Sequence, residues 1–302
     1  MKNQYKIYTL IILCVLFWSG NFIIGRYVKD DIEPFEMVFF RWGFTLLLIS
    51  PILIYNYNKI INSIRNNFLV LFILSLLGIS LFNTLLYVGL NTTTSTNALI
   101  INSSIPMLIL VFSFLIFKTK IQSIQILGIF ISSMGVLYLI LKGQFENITL
   151  LEFTSGDLWV ILSSISWALY STMVKLKPKD ISDMQYFSVI VLFGFIILLP
   201  IYLLQGYSLN HEIELVKNNY AVFIYISVFT SVISYYFWHQ GIKHIGASKT
   251  GQFTHLMPLF GTILAYIFLD EVLEYFHLIG VILIALGIYL SLFYNRKLEF
   301  EK

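Results

Sequence analysis

Charge is what this chain has least of. Of its 302 residues only 12% are Asp, Glu, Lys or Arg, against 58% hydrophobic. A soluble domain carries roughly 25% charged and about 45–50% apolar residues. No soluble fold of this length has an interior large enough to hide so much apolar surface, so most of the chain has lipid as its solvent. One cysteine, Cys14, excludes an intrachain disulfide framework and a thiolate metal cluster. It reads as a small apolar residue in a helix. The 16 acidic residues all fall in loops or near helix ends, Glu36 and Asp157 in first turns. No midplane carboxylate remains for the proton-for-cation exchange that a lipophilic-cation exporter commonly runs. No Gly-Lys-Ser/Thr loop is present, so this chain supplies no ATP drive, and HExxH and paired intramembrane aspartates are missing too. No catalytic residue, metal or cofactor is expected. The net charge of +3 is modest, and no nucleic-acid partner is expected.

What the chain has is long apolar runs. A spanning helix needs roughly 17–25 mostly apolar residues, and ten stretches qualify: Ile7–Gly25, Phe35–Tyr55, Asn67–Leu90, Ser95–Phe117, Ser123–Leu141, Gly156–Val174, Met184–Leu204, Tyr220–Gly241, Ala247–Leu269 and Tyr275–Tyr294. Each is too evenly apolar for a barrel strand, and lipid demands that backbone groups be satisfied within the segment. Lys2 and Lys6 before an apolar run resemble a signal peptide, but the run is long and no small-residue cleavage site follows, so a retained first helix is expected.

The runs repeat. Shifting Thr93–Leu139 by 152 carries Pro106 onto Pro258, Gly128 onto Gly280 and Gly135 onto Gly287, and Gly89 likewise falls on Gly241. Internal repeats are sought before any fold is argued. The expected fold is therefore an all-α polytopic membrane protein, ten transmembrane helices as two inverted five-helix repeats, 1–145 and 146–302. An odd number of helices per half makes the second half enter the membrane in the opposite sense, an architecture with its site near midplane between the halves. Loop Lys and Arg residues divide 14 to 4 between the two sides, with Arg41 inside a helix. By the positive-inside rule both termini are cytoplasmic, and the acidic clusters Lys29–Glu33 and Asp270–Glu274 face outward.

Several motifs carry a resemblance. They are Phe17-Trp18-Ser19-Gly20-Asn21-Phe22 and its partner Ser166-Trp167-Ala168-Leu169-Tyr170-Ser171; Pro34 with Arg41-Trp42; Ala98 and Pro106; Met257-Pro258 followed by Asp270-Glu271; and the two glycine pairs. With them the chain, over nearly its whole length, resembles the drug/metabolite transporter superfamily in its ten-helix EamA group. The resemblance implies a secondary carrier of small metabolites, often an exporter. The first half departs from the pattern: where relatives usually have an acidic residue after the fourth helix, this chain has Lys118-Thr119-Lys120.

Candidate substrate contacts are polar and aromatic. His255 lies three residues before Pro258, as its repeat partner Ser103 does before Pro106. Gln252 and His255, at i and i+3, share a helix face. Pro258 frees the Thr254 carbonyl, and Pro106 and Pro258 are the expected helix breaks. Asn97, Asn102, Asn83 and Tyr87 form the matching set in the first half. Trp18 and Trp167 are too deep for an interfacial belt, with Asn21 and Tyr170 nearby. Tyr235 is the cavity candidate of the eighth helix, and Trp238 reads as belt. Arg41 reads as snorkelling outward or pairing with Glu36, with a substrate carboxylate the sharper alternative. Packing is the competing role for every one of these residues. Small residues at spacing four (Gly128/Ser132, Gly261/Ala265, Gly287/Ser291) read as close intramolecular packing.

The expectation is an exporter in the cytoplasmic membrane that moves a small polar or amphipathic metabolite, such as an amino acid or derivative, by alternating access through a neutral, amide-lined cavity. A receptor or assembly protein without transport, or a lipid-modifying enzyme, is the alternative. His255 is the one evident proton acceptor for coupling, and a facilitator fits equally. Oligomeric state is not legible.

Overall fold

The structure, a computed structural model, describes residues 2–28, 31–268 and 274–300. The motif Asp270-Glu271, most of the Asp270–Glu274 cluster and Lys29 lie outside them. The described residues are helical, with no strand. Eleven helical segments concern us. They are α1 (Lys2–Tyr27), α2 (Pro34–Tyr55), α3 (Tyr57–Leu90), α4 (Asn97–Phe117), α5 (Ser123–Ile140), α6 (Ser155–Leu176), α7 (Asp183–Leu203), α8 (Leu209–Asn218), α9 (Tyr220–Ile245), α10 (247–268) and α11 (Tyr275–Phe300). Eight of them are long and apolar enough to cross a membrane among the described residues: α2 to α7, α9, and α11 over Tyr275–Leu292. A shorter apolar helix, Tyr5–Asn21, lies within α1.

Three departures from straight helix position the site. The first is at Asn67, whose φ of −133° interrupts α3 and whose amide donates to the Ser63 carbonyl at 3.1 Å. The apolar run therefore starts at Asn67, as the sequence suggests, with 57–66 a separate short helix before the kink. The second is a pair of wide, π-type turns, Leu76–Leu81 in α3 and Ile226–Ile233 in α9. Such turns are rare and cluster at functional sites. Hydroxyls use the carbonyls that the second one displaces: Ser231 and Ser234 donate five residues back, to Ile226 and Phe229. The third is a pair of breaks. α4 interrupts between Asn102 and Ile105, and α10 tightens over Gln252–His255 before it resumes at Leu256. Pro106 and Pro258 stand in the first turns of the resumed helices, where a missing N–H costs nothing.

The 152-residue shift carries the first wide turn into the second and the first break onto the second. It also governs α5 and α11. Gly128 faces the Gly287 carbonyl and Gly135 faces that of Gly280, so the two helices meet antiparallel at backbone contact. Ser132 and Ser291 complete that seam, whereas nothing among the described residues lies near the open side of Gly261.

Candidate functional site

The two breaks face each other. His255 on α10 donates from Nε2 to the Ser103 carbonyl on α4 at 2.9 Å, and its Nδ1 lies 2.7 Å from the Ser132 hydroxyl of α5. A carbonyl can only accept, so Nε2 carries a proton and, in the neutral ring, Nδ1 accepts from the Ser132 hydroxyl, whose one proton also has the Gly128 and Ile129 carbonyls within reach. Residues related by the repeat shift thus touch across the molecule.

Around this contact lies a cavity of about 60 Å³, room for roughly four to six waters. Eight of the twelve expected contacts line it: Trp18 and Asn21 from α1, Asn83 from α3, Asn102 and Ser103 from α4, Trp167 from α6, Tyr235 from α9 and His255 from α10; Pro258 is there too. Trp18 Nε1 donates to the Thr230 carbonyl and Tyr235 Oη to that of Gly78, so wide-turn carbonyls hold both rings. The other four residues do not line the cavity. Gln252 donates its amide to Ser291 of α11. Asn97 bonds the Glu152 carbonyl and the buried Asp157 carboxylate, tying α4 to the start of α6. Tyr170 pairs with His239 at 2.6 Å, and Tyr87 stands behind Asn21. Pro106 is buried beside the break without reaching the cavity.

Two expectations are corrected. Arg41 neither snorkels nor pairs with Glu36. It is 4% exposed and lines the cavity, donating from Nε to Ser231 Oγ (2.9 Å), from Nη1 to Asn83 Oδ1 (3.0 Å) and from Nη2 to the Thr230 carbonyl (3.3 Å). The wide turn of α9 supplies two of these acceptors, which is why the side chain turns inward. Glu36 is occupied elsewhere, by the Glu33 backbone N–H and by His211. The cavity is therefore not neutral. The signal in the sequence was Asn83, Thr230 and Ser231, three acceptors inside apolar runs. Trp238 is not a belt residue. Its ring is fully buried against Trp18 (5.1 Å) and Trp167 (5.6 Å), with Nε1 donating to Ser171.

A second cavity of about 520 Å³ opens at the far ends of α4, α6 and α9. Lys120, Lys175, Lys177, Lys179, Lys243 and Lys249 line it, and no acidic side chain among the described residues does. Asp183, just behind, ion-pairs with Lys177 and with Lys243. Burial, and then the charge of Lys243, pull the Lys177 ammonium down to about 8.

Comparison with known proteins places this geometry. A model of the EamA-like transporter family matches residues 5–141 and again 154–293. "Uncharacterized transporter YyaM" of Bacillus subtilis (strain 168) is 28% identical over 94% of this chain and 92% of its own. "Uncharacterized transporter YetK" of the same organism is 26% identical over 98% and 90%. A solved crystal structure, 14% identical, superimposes with a TM-score of 0.72 over 98% of this chain and 99% of that one, which establishes a shared fold.

Proposed function

This chain belongs to the EamA-like transporter family, and from that membership we propose a secondary carrier that exports a small polar or amphipathic metabolite, such as an amino acid or derivative, across the cytoplasmic membrane. It consists of two five-helix repeats of opposite orientation, 1–145 and 146–302, with both termini in the cytoplasm. Exchange of conformation between the halves opens a shared central cavity alternately to each side. The observation that carries this reading is the meeting of Ser103 and His255, repeat partners on two broken helices, at the wall of that cavity. The paired wide turns and the twofold family match support the repeat. At about 60 Å³ the cavity is too small for a metabolite, so the cargo enters a wider state, as alternating access requires. His255, bonded through both nitrogens, is the proton site if export is proton-coupled.

Purified protein in liposomes preloaded with each of a panel of amino acids and related metabolites tests this reading. At least one compound shows counterflow above protein-free liposomes. No accelerated exchange across a broad panel would overturn the carrier reading.

A further inference from the structure

Arg41 brings a positive charge to the central cavity, and no carboxylate among the described residues is paired with it. A buried charge is costly unless it is matched. Its three hydrogen-bond partners are neutral, as is the Trp42 ring that the guanidinium overlies at 5.2 Å, and the bonds use three of the five guanidinium N–H groups. One N–H is left on each terminal nitrogen, a pair that a carboxylate accepts in two-pronged fashion. Asn102 spends its oxygen on the Ser164 hydroxyl, which leaves its amide N–H groups for the cavity. No acidic side chain among the described residues lines this cavity, so an ammonium group finds no counter-charge from them there. Asn21, Ser103, Thr254 and His255 add neutral polar groups on the other walls, and the rest is aromatic and aliphatic, chiefly Trp18, Trp167, Phe82 and Leu99.

The lysine-lined cavity points the same way. Lysines at this end of the helices follow from topology alone. Here Lys177 and Lys243 are matched by Asp183 just behind, but Lys120, Lys175, Lys179 and Lys249 join them in one concavity with no acid in its wall among the described residues, and such a net-positive cleft focuses the field and raises the local concentration of anions.

We propose that the cargo is an organic monocarboxylate with an apolar body. Arg41 grips the carboxylate, Trp18 and Trp167 take the body, and the lysine-lined cavity gathers the anion from its side of the membrane. This assignment rests on the carrier reading above, narrows its cargo from amino acids to derivatives that lack the ammonium group, and the test separates the two.

The probes share one ring and differ in headgroup: phenylacetate, phenylacetamide, phenethylammonium, phenylalanine and phenyl phosphate. Binding is read by tryptophan fluorescence of the full chain in nanodiscs, and transport by counterflow in liposomes. Phenylacetate is expected to bind about tenfold tighter than the amide or the ammonium. Arg41→Gln erases that preference, and Arg41→Lys, which keeps the charge but not the fork, retains part of it. The wild-type headgroup series decides even where a variant fails to fold. Equal or tighter binding of phenylacetamide, phenethylammonium or phenylalanine overturns the proposal, as does tighter binding of phenyl phosphate or no binding by any probe. Carboxylate-selective binding without counterflow of any compound keeps the Arg41 site and sinks the carrier reading. Counterflow of neutral or cationic compounds without carboxylate binding keeps the carrier and sinks this assignment.

Discussion

Gly128 and Gly287 let two helices touch where any side chain would collide. A Cβ on Gly128 would sit 2.6 Å from the Gly287 carbonyl oxygen and 2.8 Å from the Ser291 nitrogen, both backbone atoms. Overpacking a close contact typically costs about 1–3 kcal/mol, and here the obstacle cannot rotate away. Gly128→Val should therefore lower the melting temperature by several degrees in a thermal-shift assay. Gly261→Ala should leave it unchanged, because a Cβ there meets nothing within 4 Å. Trp238 offers a second check at this scale. Trp238→Phe loses the indole bond to Ser171, worth about 1 kcal/mol, and should show a small fall in stability where a belt tryptophan would show none. The glycine spacing was legible because small residues leave a pattern along one strand of sequence. Arg41, Gln252 and Asn97 were not, since each side chain's role is fixed by a partner far along the chain: Ser231, Ser291 and Asp157.

At the scale of elements, the broken helices and the short α8 make different predictions. Pro258 stands where α10 resumes and lines the cavity. In the first turn of the resumed helix Pro258 costs little, but its ring bars a continuous helix through the break, and Pro258→Ala removes that bar. It should hold or raise the melting temperature while cutting the initial counterflow rate several-fold. An unchanged rate would remove the break from the transport cycle. On α8, Glu212 is buried, and burial raises its carboxyl above the ordinary range, with the Tyr202 hydroxyl pulling the other way. A carboxyl raised by folding disfavours the folded state while it is ionised. That penalty is present above the folded value and disappears as pH falls through it towards the ordinary one. Glu212→Gln should therefore raise the melting temperature at pH 7–8, and the gain should close as pH approaches 4. The apolar runs and both prolines were readable from composition and spacing. The wide turns of α3 and α9 were not, because one extra residue in a turn leaves the apolar pattern nearly intact.

At the scale of the molecule, a repeat seen as shared prolines and glycines becomes a set of contacts between repeat-related positions: His255 on the Ser103 carbonyl, and α5 against α11. Such contacts are what two halves related by an axis in the membrane plane would make, with the cavity on that axis. The central claim is that this cavity is reached from either side in turn. Replacing the lone Cys14 with Ala and then making Ser103→Cys puts one thiol on the cavity wall. Sealed vesicles of both orientations can then be treated with a membrane-impermeant maleimide. The account predicts that the thiol is labelled from each face, and that a transported compound slows both reactions. Labelling from one face alone, or from neither in folded protein, would contradict it.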